Sequence, residues 1–251
     1  MIRVLAILLA LAVAPAAAQE VRPLATDRPD RTESPYAVPQ GYWQVEVDLA
    51  TLTRDRVDGV RTDTLSLAPL NLKRGIAHDT DVQLIVAPYV RQREGGRTID
   101  GIGDVTVRLK QNLIGDDGGD WALAVMPFVT LPTARAALGA EGVEGGVIVP
   151  VSVDLAEGVS LGAMTEVDAV REDGRYRAIF VNSATLGVKL AETVGSYAEV
   201  YTERGRDWIV TGDVGLTWQT SEVTQLDAGV NLGLSDAAED VTLFVGFSRR
   251  F

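Results

Sequence analysis

A two-residue alternation of apolar and polar side chains, repeated from about position 41 to the C-terminus, constrains this chain more than any other feature. Trp43-Gln44-Val45-Glu46-Val47-Asp48-Leu49 puts Trp, Val, Val and Leu on one face and Gln, Glu and Asp on the other. Val105-Thr106-Val107-Arg108-Leu109-Lys110 and Leu226-Asp227-Ala228-Gly229-Val230-Asn231-Leu232-Gly233-Leu234 repeat the pattern, and Val82-Gln83-Leu84-Ile85-Val86 follows it less regularly. Side chains alternate across a strand, so each run is a strand with one apolar and one polar face. With 25 glycines and 10 prolines, both of which break helix interiors, a helical bundle is disfavoured.

The pattern predicts twelve strands, near residues 42–52, 62–74, 80–91, 103–113, 121–132, 144–154, 159–170, 175–190, 194–203, 207–219, 224–234 and 241–251. Most have the roughly ten residues that a tilted strand needs to cross a bilayer. In the second, Leu65 and Leu67 lie on one face but Leu70 and Leu72 on the other, and a bulge at Ala68-Pro69 would repair this. A count of ten or fourteen is also open, because the second strand is broken and the eighth is long. With both termini in the periplasm, the turns at 75–79, 115–120, 156–158, 191–193 and 220–223 fall on the periplasmic side. Residues 53–61, 92–102, 133–143, 171–174, 204–206 and 235–240 then form the outer loops.

Alternation alone does not say which face meets water. A soluble sandwich packs its apolar face inside, and a membrane barrel turns that face to lipid. Three observations favour the barrel. The apolar faces are almost free of charge. Trp43, Trp121, Trp218, Phe247 and Phe251 fall at periplasmic strand ends, and Trp208 and Tyr176 at outer ends, as in the aromatic girdles of membrane barrels. The chain ends on Phe251 with Phe247, Val245 and Leu243 before it at two-residue steps, which resembles the signal read by the outer-membrane barrel-assembly machinery. Arg249 interrupts that series, but near the interface its head can reach water.

Residues 1–18 read as a signal peptide: a positive start at Arg3, an apolar run from Val4 to Val13, and small residues up to a cut after Ala18. The run is too short for a membrane-spanning helix. The whole chain has 251 residues and a net charge of −12, which argues against nucleic acid. It has no cysteine and a single histidine, His78, so thiolate and His-rich metal centres are excluded.

Several local patterns suggest other chemistry and fail on context. Gly158-Val159-Ser160-Leu161-Gly162 fits G-x-S-x-G, yet Ser160 opens a predicted strand where the hydrolase motif needs strand, sharp turn and helix. Gly115-Asp116-Asp117-Gly118-Gly119-Asp120 lacks the ligand spacing of a calcium loop and reads as a turn. Gly101-Ile102-Gly103 leads into a strand and lacks the third glycine of a dinucleotide loop. No catalytic residue, metal or cofactor is expected.

Continuing the alternation places Glu46, Asp48, Asp81, Asp104, Glu166, Asp168, Glu199, Asp213 and Asp227 inward as acids. Arg91, Arg108, Lys110, Arg177, Lys189 and Arg250 are the inward bases. They form either a structural ion-pair network or a polar conduit with modest cation preference. Residues 19–41 carry four prolines (Pro23, Pro29, Pro35, Pro39), and their 23 residues could extend about 75 Å at ~3.3 Å each. This segment is either a loose periplasmic tail or a plug folded into the lumen. As a plug, Arg28 and Arg31 would meet inward carboxylates, and Asp27, Asp30 and Glu33 inward bases.

Thr26-Asp27-Arg28-Pro29-Asp30-Arg31-Thr32-Glu33-Ser34-Pro35, then Val38-Pro39-Gln40-Gly41 and Gln44-Val45-Glu46, resembles the opening of an outer-membrane family labelled a phenol-degradation meta-pathway protein, or simply a transporter. Gly101-Ile102-Gly103-Asp104 with Lys110, Leu131-Pro132-Thr133 and Tyr197-Ala198-Glu199 resemble it as well. The resemblance implies a β-barrel that passes hydrophobic or aromatic small molecules. Its label reflects the neighbourhood of some members rather than demonstrated chemistry.

The expectation is an all-β, up-and-down antiparallel transmembrane barrel of about twelve strands, with a signal peptide at 1–18, an extended segment at 19–41 and the barrel at 42–251. It is monomeric, lies in the outer membrane of a Gram-negative bacterium among its lipids, and passively transports a small solute. A non-conducting structural or surface-contact barrel is the alternative, and an integral lipid-modifying enzyme a further one.

Overall fold

A computed structural model describes residues 21–116, 118–135 and 138–251, so the signal-peptide reading falls outside the described residues. The strands are β1 (Trp43–Val57), β2 (Val60–Leu67), β3 (Leu70–Ala77), β4 (Thr80–Val86), β5 (Tyr89–Glu94), β6 (Arg97–Gly101), β7 (Val105–Ile114) and β8 (Trp121–Leu131). They continue as β9 (Glu144–Ala156), β10 (Val159–Glu172), β11 (Arg175–Lys189), β12 (Val194–Arg204), β13 (Trp208–Ser221), β14 (Thr224–Gly233) and β15 (Val241–Arg250). No helix among the described residues is long and apolar enough to cross a membrane.

All neighbours pair antiparallel, and β15 returns to pair with β1, so the sheet closes into a barrel without free edges across the membrane. β2 with β3, β4 with β5, and β6 with β7 are halves of single crossings, which gives the twelve expected from the pattern. Each of these three adjacent crossings is interrupted, and each interruption reverses the alternation. Ala68, at φ 54°, marks the first, where a bulge was expected at Ala68-Pro69. Leu65 and Leu67 above the break, and Leu70 and Leu72 below it, consequently all lie in outward rows.

The predicted outer loops at 53–61 and 92–102 are instead strand continuations closed by two-residue turns. Asp58-Gly59, Gly95-Gly96 and also Asp173-Gly174 hold positive φ at both positions, the backbone that suits the right-handed twist of a hairpin. The longer connections, 132–143 and 234–240, lie at this same end, opposite Arg22 and Phe251. Longer loops mark the extracellular side. There Arg206 Nη2 donates to Asp173 at 2.7 Å, and this hydrogen bond holds the Asp173 carboxyl below its ordinary range.

Exposure shows which face is turned outward. Leu216, Leu243 and Val214 are 54%, 52% and 48% exposed, whereas Asp81, Lys73 and Glu46 are 0%, 1% and 2% exposed. A soluble sandwich would have the reverse. Trp43, Trp121, Trp208 and Trp218 are all exposed at strand ends, where amphipathic rings meet headgroups. The aliphatic rows therefore face lipid and the ionised rows face the lumen, which makes this an outer-membrane barrel.

The inner wall is less uniformly polar than the alternation implied. Met126, Ile148, Met164, Ile179, Val181 and Tyr201 form a buried apolar cluster on the inner faces of β8 to β12. Unlike the aliphatic rows, these residues pack against one another within the lumen, so the barrel carries a small core of its own.

Candidate lumen and its inserted segment

Residues 21–41 run through the barrel and bond to inward-facing side chains from strands spread around it. The densest contact is an ion cluster. Lys73 Nζ donates to the carboxylates of both Asp27 and Glu46. Lys110 Nζ donates to Asp27 at 2.5 Å. Glu46 also accepts from the Asp27 amide at 3.1 Å and from Gln44 Nε2 at 2.8 Å. Two acids and two bases thus neutralise one another where an unpaired charge would be prohibitive.

On the next strands, Arg28 spans Asp48 and Asp227, with both contacts at 2.6 Å. Arg108 pairs with Glu33. Glu199 accepts from the amides of Arg31 and Thr32 at 2.9 and 2.8 Å and from the Thr32 hydroxyl. Asp81 accepts from the Val38 amide at 2.8 Å, and Asn112 Nδ2 donates to the Pro35 carbonyl at 2.9 Å. Gln44 Nε2 reaches the Ala25 carbonyl at 2.7 Å, and Arg250 the Pro23 carbonyl at 3.3 Å. These bonds occupy backbone groups that the prolines prevent from joining a sheet ladder.

Two wall glycines make the close approach possible. A Cβ on Gly75 would collide with the carbonyls of Val38 and Pro39, and one on Gly246 with the guanidinium of Arg28 and the Val47 carbonyl. Gly75→Val should therefore displace Val38 and Pro39 at a cost of about 1–3 kcal/mol. Limited proteolysis in detergent should cut residues 21–41 faster, while the barrel strands stay protected.

Several expected positions are corrected. Arg91 is not luminal: the interruption at 87–88 reverses the alternation, and Arg91 pairs with Leu65 in an outward row. Arg31 does not form a carboxylate pair, since its guanidinium lies 3.5 Å from the centroid of the Tyr201 ring. Asp30 has no cation within 4.0 Å among the described residues, and Asp27 and Glu33 take the bases of β3 and β7. Asp104 faces inward but is used in folding the outer connection, accepting from the amides of Ala134 and Ala140 at 2.8 and 2.7 Å. Arg177 sits at the outer mouth, 3.3 Å from Glu172. Glu166, Asp168 and Asp213 lie in inward rows, with Asp213 opposite Glu199.

Lys73, Gln44, Asn112 and Gln83, whose Nε2 donates to Asp81 at 3.0 Å, were missed. Lys73 was recoverable, because the parity change at Ala68-Pro69 turns Lys73 inward as surely as it turns Leu72 outward. The uncharged amides gave no signal beyond their place in the alternation.

The segment does not fill the lumen. Beside it, a cavity of about 970 Å³ extends along β9 to β13 to the turns at 156–158 and 191–193. Asp30 and Glu33 line it from the segment, and Ser160, Lys189 and Tyr197 from the wall. Ser160 and His78 are not neighbours in the sheet: His78 lies in the β3–β4 turn, and β7, β8 and β9 separate β4 from β10.

A closed twelve-crossing barrel with a polar, partly occupied lumen defines an outer-membrane β-barrel of the porin-like class. The chain belongs to the family described as "Putative MetA-pathway of phenol degradation", whose model matches residues 26–251. It is similar in fold to an outer membrane channel from Pseudomonas putida F1 (TM-score 0.63, 12% identity, 86% of this chain and 97% of that one). The NanC porin (TM-score 0.55, 10% identity, 81% and 98%) and the KdgM porin (TM-score 0.52, 8% identity, 83% and 99%) are similar in the same way. No curated protein matches the sequence.

Proposed function

We propose that the protein is a passive outer-membrane channel for small molecules and that residues 19–41 act as its constriction. The observation that carries this reading is the partial filling of the lumen: an anchored segment on one side and a cavity of about 970 Å³ on the other. Barrels of this strand number lie between small ones filled by their side chains and open porins. Family membership, and a fold shared with an outer membrane channel and two porins, support the channel reading. Hydrophobic or aromatic solutes are the class we favour, because the family whose model matches residues 26–251 is described by phenol degradation.

The protein works without catalysis or an energy source and is a monomer, assembled through its C-terminal strand. Phe251 supports that last point: its amide donates to the Trp43 carbonyl at 2.8 Å where the barrel closes. Planar-bilayer recordings of the mature chain should show discrete, small openings. Liposomes containing it should admit phenol-sized solutes faster than disaccharides. Absence of both conductance and solute entry, in the full chain and in a variant lacking residues 19–36, would leave a structural barrel instead.

A further inference from the structure

Above its aliphatic rows, the sheet made by β1, β2 and β5 becomes basic on its outward face. Register places Leu243, Leu52, Leu65 and Arg91 in one outward row. Arg54, Asp63 and Arg93 form the next, and Arg56 and Arg61 the one beyond. Five arginines thus point away from the lumen in a chain whose net charge is −12. Two acids of the same hairpins go the other way, since Asp55 and Glu94 both pair with Thr62 in an inward row, while Asp63 and Asp100 share the outward face.

Asp63 engages two of the five, Arg61 at 2.8 Å and Arg54 at 3.2 Å. Among the described residues, the guanidinium groups of Arg56, Arg91 and Arg93 have no carboxylate within 4.0 Å, Asp100 opposite Arg91 included. Arg91 and Arg93 border a crevice of about 440 Å³ that is also lined by Leu52, Leu65 and Leu243. Its apolar side is continuous with the lipid-facing rows below, and its rim is cationic.

The height of this rim fits a headgroup. Arg54 lies eleven residues beyond Trp43 on β1. At ~3.3 Å per residue and a tilt of about 40°, that is roughly 28 Å, against an apolar band about 25 Å tall. The rim is at the extracellular end, so it stands at the surface of the outer leaflet.

We propose that this face binds the phosphate-bearing headgroup of an outer-leaflet lipid. The phosphates accept from Arg91, Arg93 and Arg56, and an acyl chain lies along Leu52, Leu65 and Leu243. Guanidinium suits this role because its fork donates two parallel hydrogen bonds to one phosphate and is weakly hydrated. The lipid is an annular partner on the outside of the barrel, so the proposal does not depend on what the lumen conducts.

The test titrates the full mature protein in detergent micelles with bis-phosphorylated lipid A, with the same lipid stripped of phosphate, and with inorganic phosphate, and counts bound ligand by native mass spectrometry. Wild type should bind the phosphorylated lipid and discriminate against the stripped one. The R91E/R93E variant should lose about 25-fold in affinity, about fivefold per arginine, while keeping wild-type conductance and the heat-dependent gel shift of a closed barrel. R91Q/R93Q serves if charge reversal prevents folding. Arg97→Glu, on the inward row of the same hairpin, should bind as wild type does. Equal affinity in wild type and the double variant would overturn the proposal. So would equal loss in Arg97→Glu, equal binding of the stripped lipid, or occupation by inorganic phosphate without competition from the lipid.

Discussion

Removal of residues 19–36 should raise the single-channel conductance by a factor of about three or more, since a twelve-stranded barrel is wider than the eight-stranded ones that side chains fill. The barrel should survive the deletion. Its ladder closes through β1 and β15, and the deleted residues contribute nothing to that pairing. Selectivity should change much less than conductance. Arg28 and the amides of Arg31 and Thr32 leave with the segment, which frees Asp48, Asp227 and Glu199. Asp27 and Glu33 leave as well, which frees Lys110 and Arg108. Bare acids attract cations and bare bases attract anions, so the two sets offset one another. The reversal potential in a salt gradient should therefore move little as conductance rises. Unchanged conductance would mean that the segment does not limit the path. A large shift of the reversal potential would mean that the path runs past one of the two sets alone.

The crossings were legible because membrane strands impose two demands at once. Lipid admits only apolar side chains on one face and the closed ladder fixes the period, so Trp43 to Leu49 and Leu226 to Leu234 declared themselves. Where lipid stops, the signal stops. Residues 53–57 and 89–94 extend the ladder beyond the aliphatic rows, with arginines outward and acids inward, and nothing in such a pattern separates a strand from a loop. Parity was legible only where a residue announced a break. Ala68-Pro69 did so through the mismatch of Leu67 with Leu70. The interruption at 87–88 has no such mismatch, since Ile85 and Val86 are both apolar, and Arg91 was consequently assigned to the wrong face. Asp27, Arg28 and Glu33 of the inserted segment each have an opposite charge on the wall. For Arg31 and Asp30 the outcome depended on where particular wall residues fall around the circumference, which the pairing of twelve crossings decides and no local pattern states.

Replacing Lys73 by methionine should release the inserted segment while leaving the barrel intact. Among the described residues, Lys73 Nζ is the one cation that contacts both Asp27 and Glu46, and all three side chains are at most 7% exposed. Methionine keeps the length of the side chain and removes its charge, so two carboxylates are left with Lys110 alone, and Lys110 reaches only Asp27. Breaking a buried pair by removing one partner costs about 3–5 kcal/mol. The barrel has no reason to bear that cost, because Asp27 can relieve it by leaving for water with the rest of the segment. The equilibrium between seated and released segment should then shift by a factor of about 150 or more. The chain contains no cysteine, so Ala37→Cys, at a position 4% exposed, introduces a single reporter thiol. Its labelling by a charged maleimide should accelerate in the Lys73→Met background, and the heat-dependent gel shift should persist. Adding Glu46→Gln should slow the labelling again, to within about tenfold of the parent, because Asp27 and Lys110 are then left as a neutral pair. Equal labelling with and without Lys73 would show that the backbone bonds to Glu199, Asp81 and Asn112 hold the segment by themselves, with the ion cluster contributing no more than neutrality.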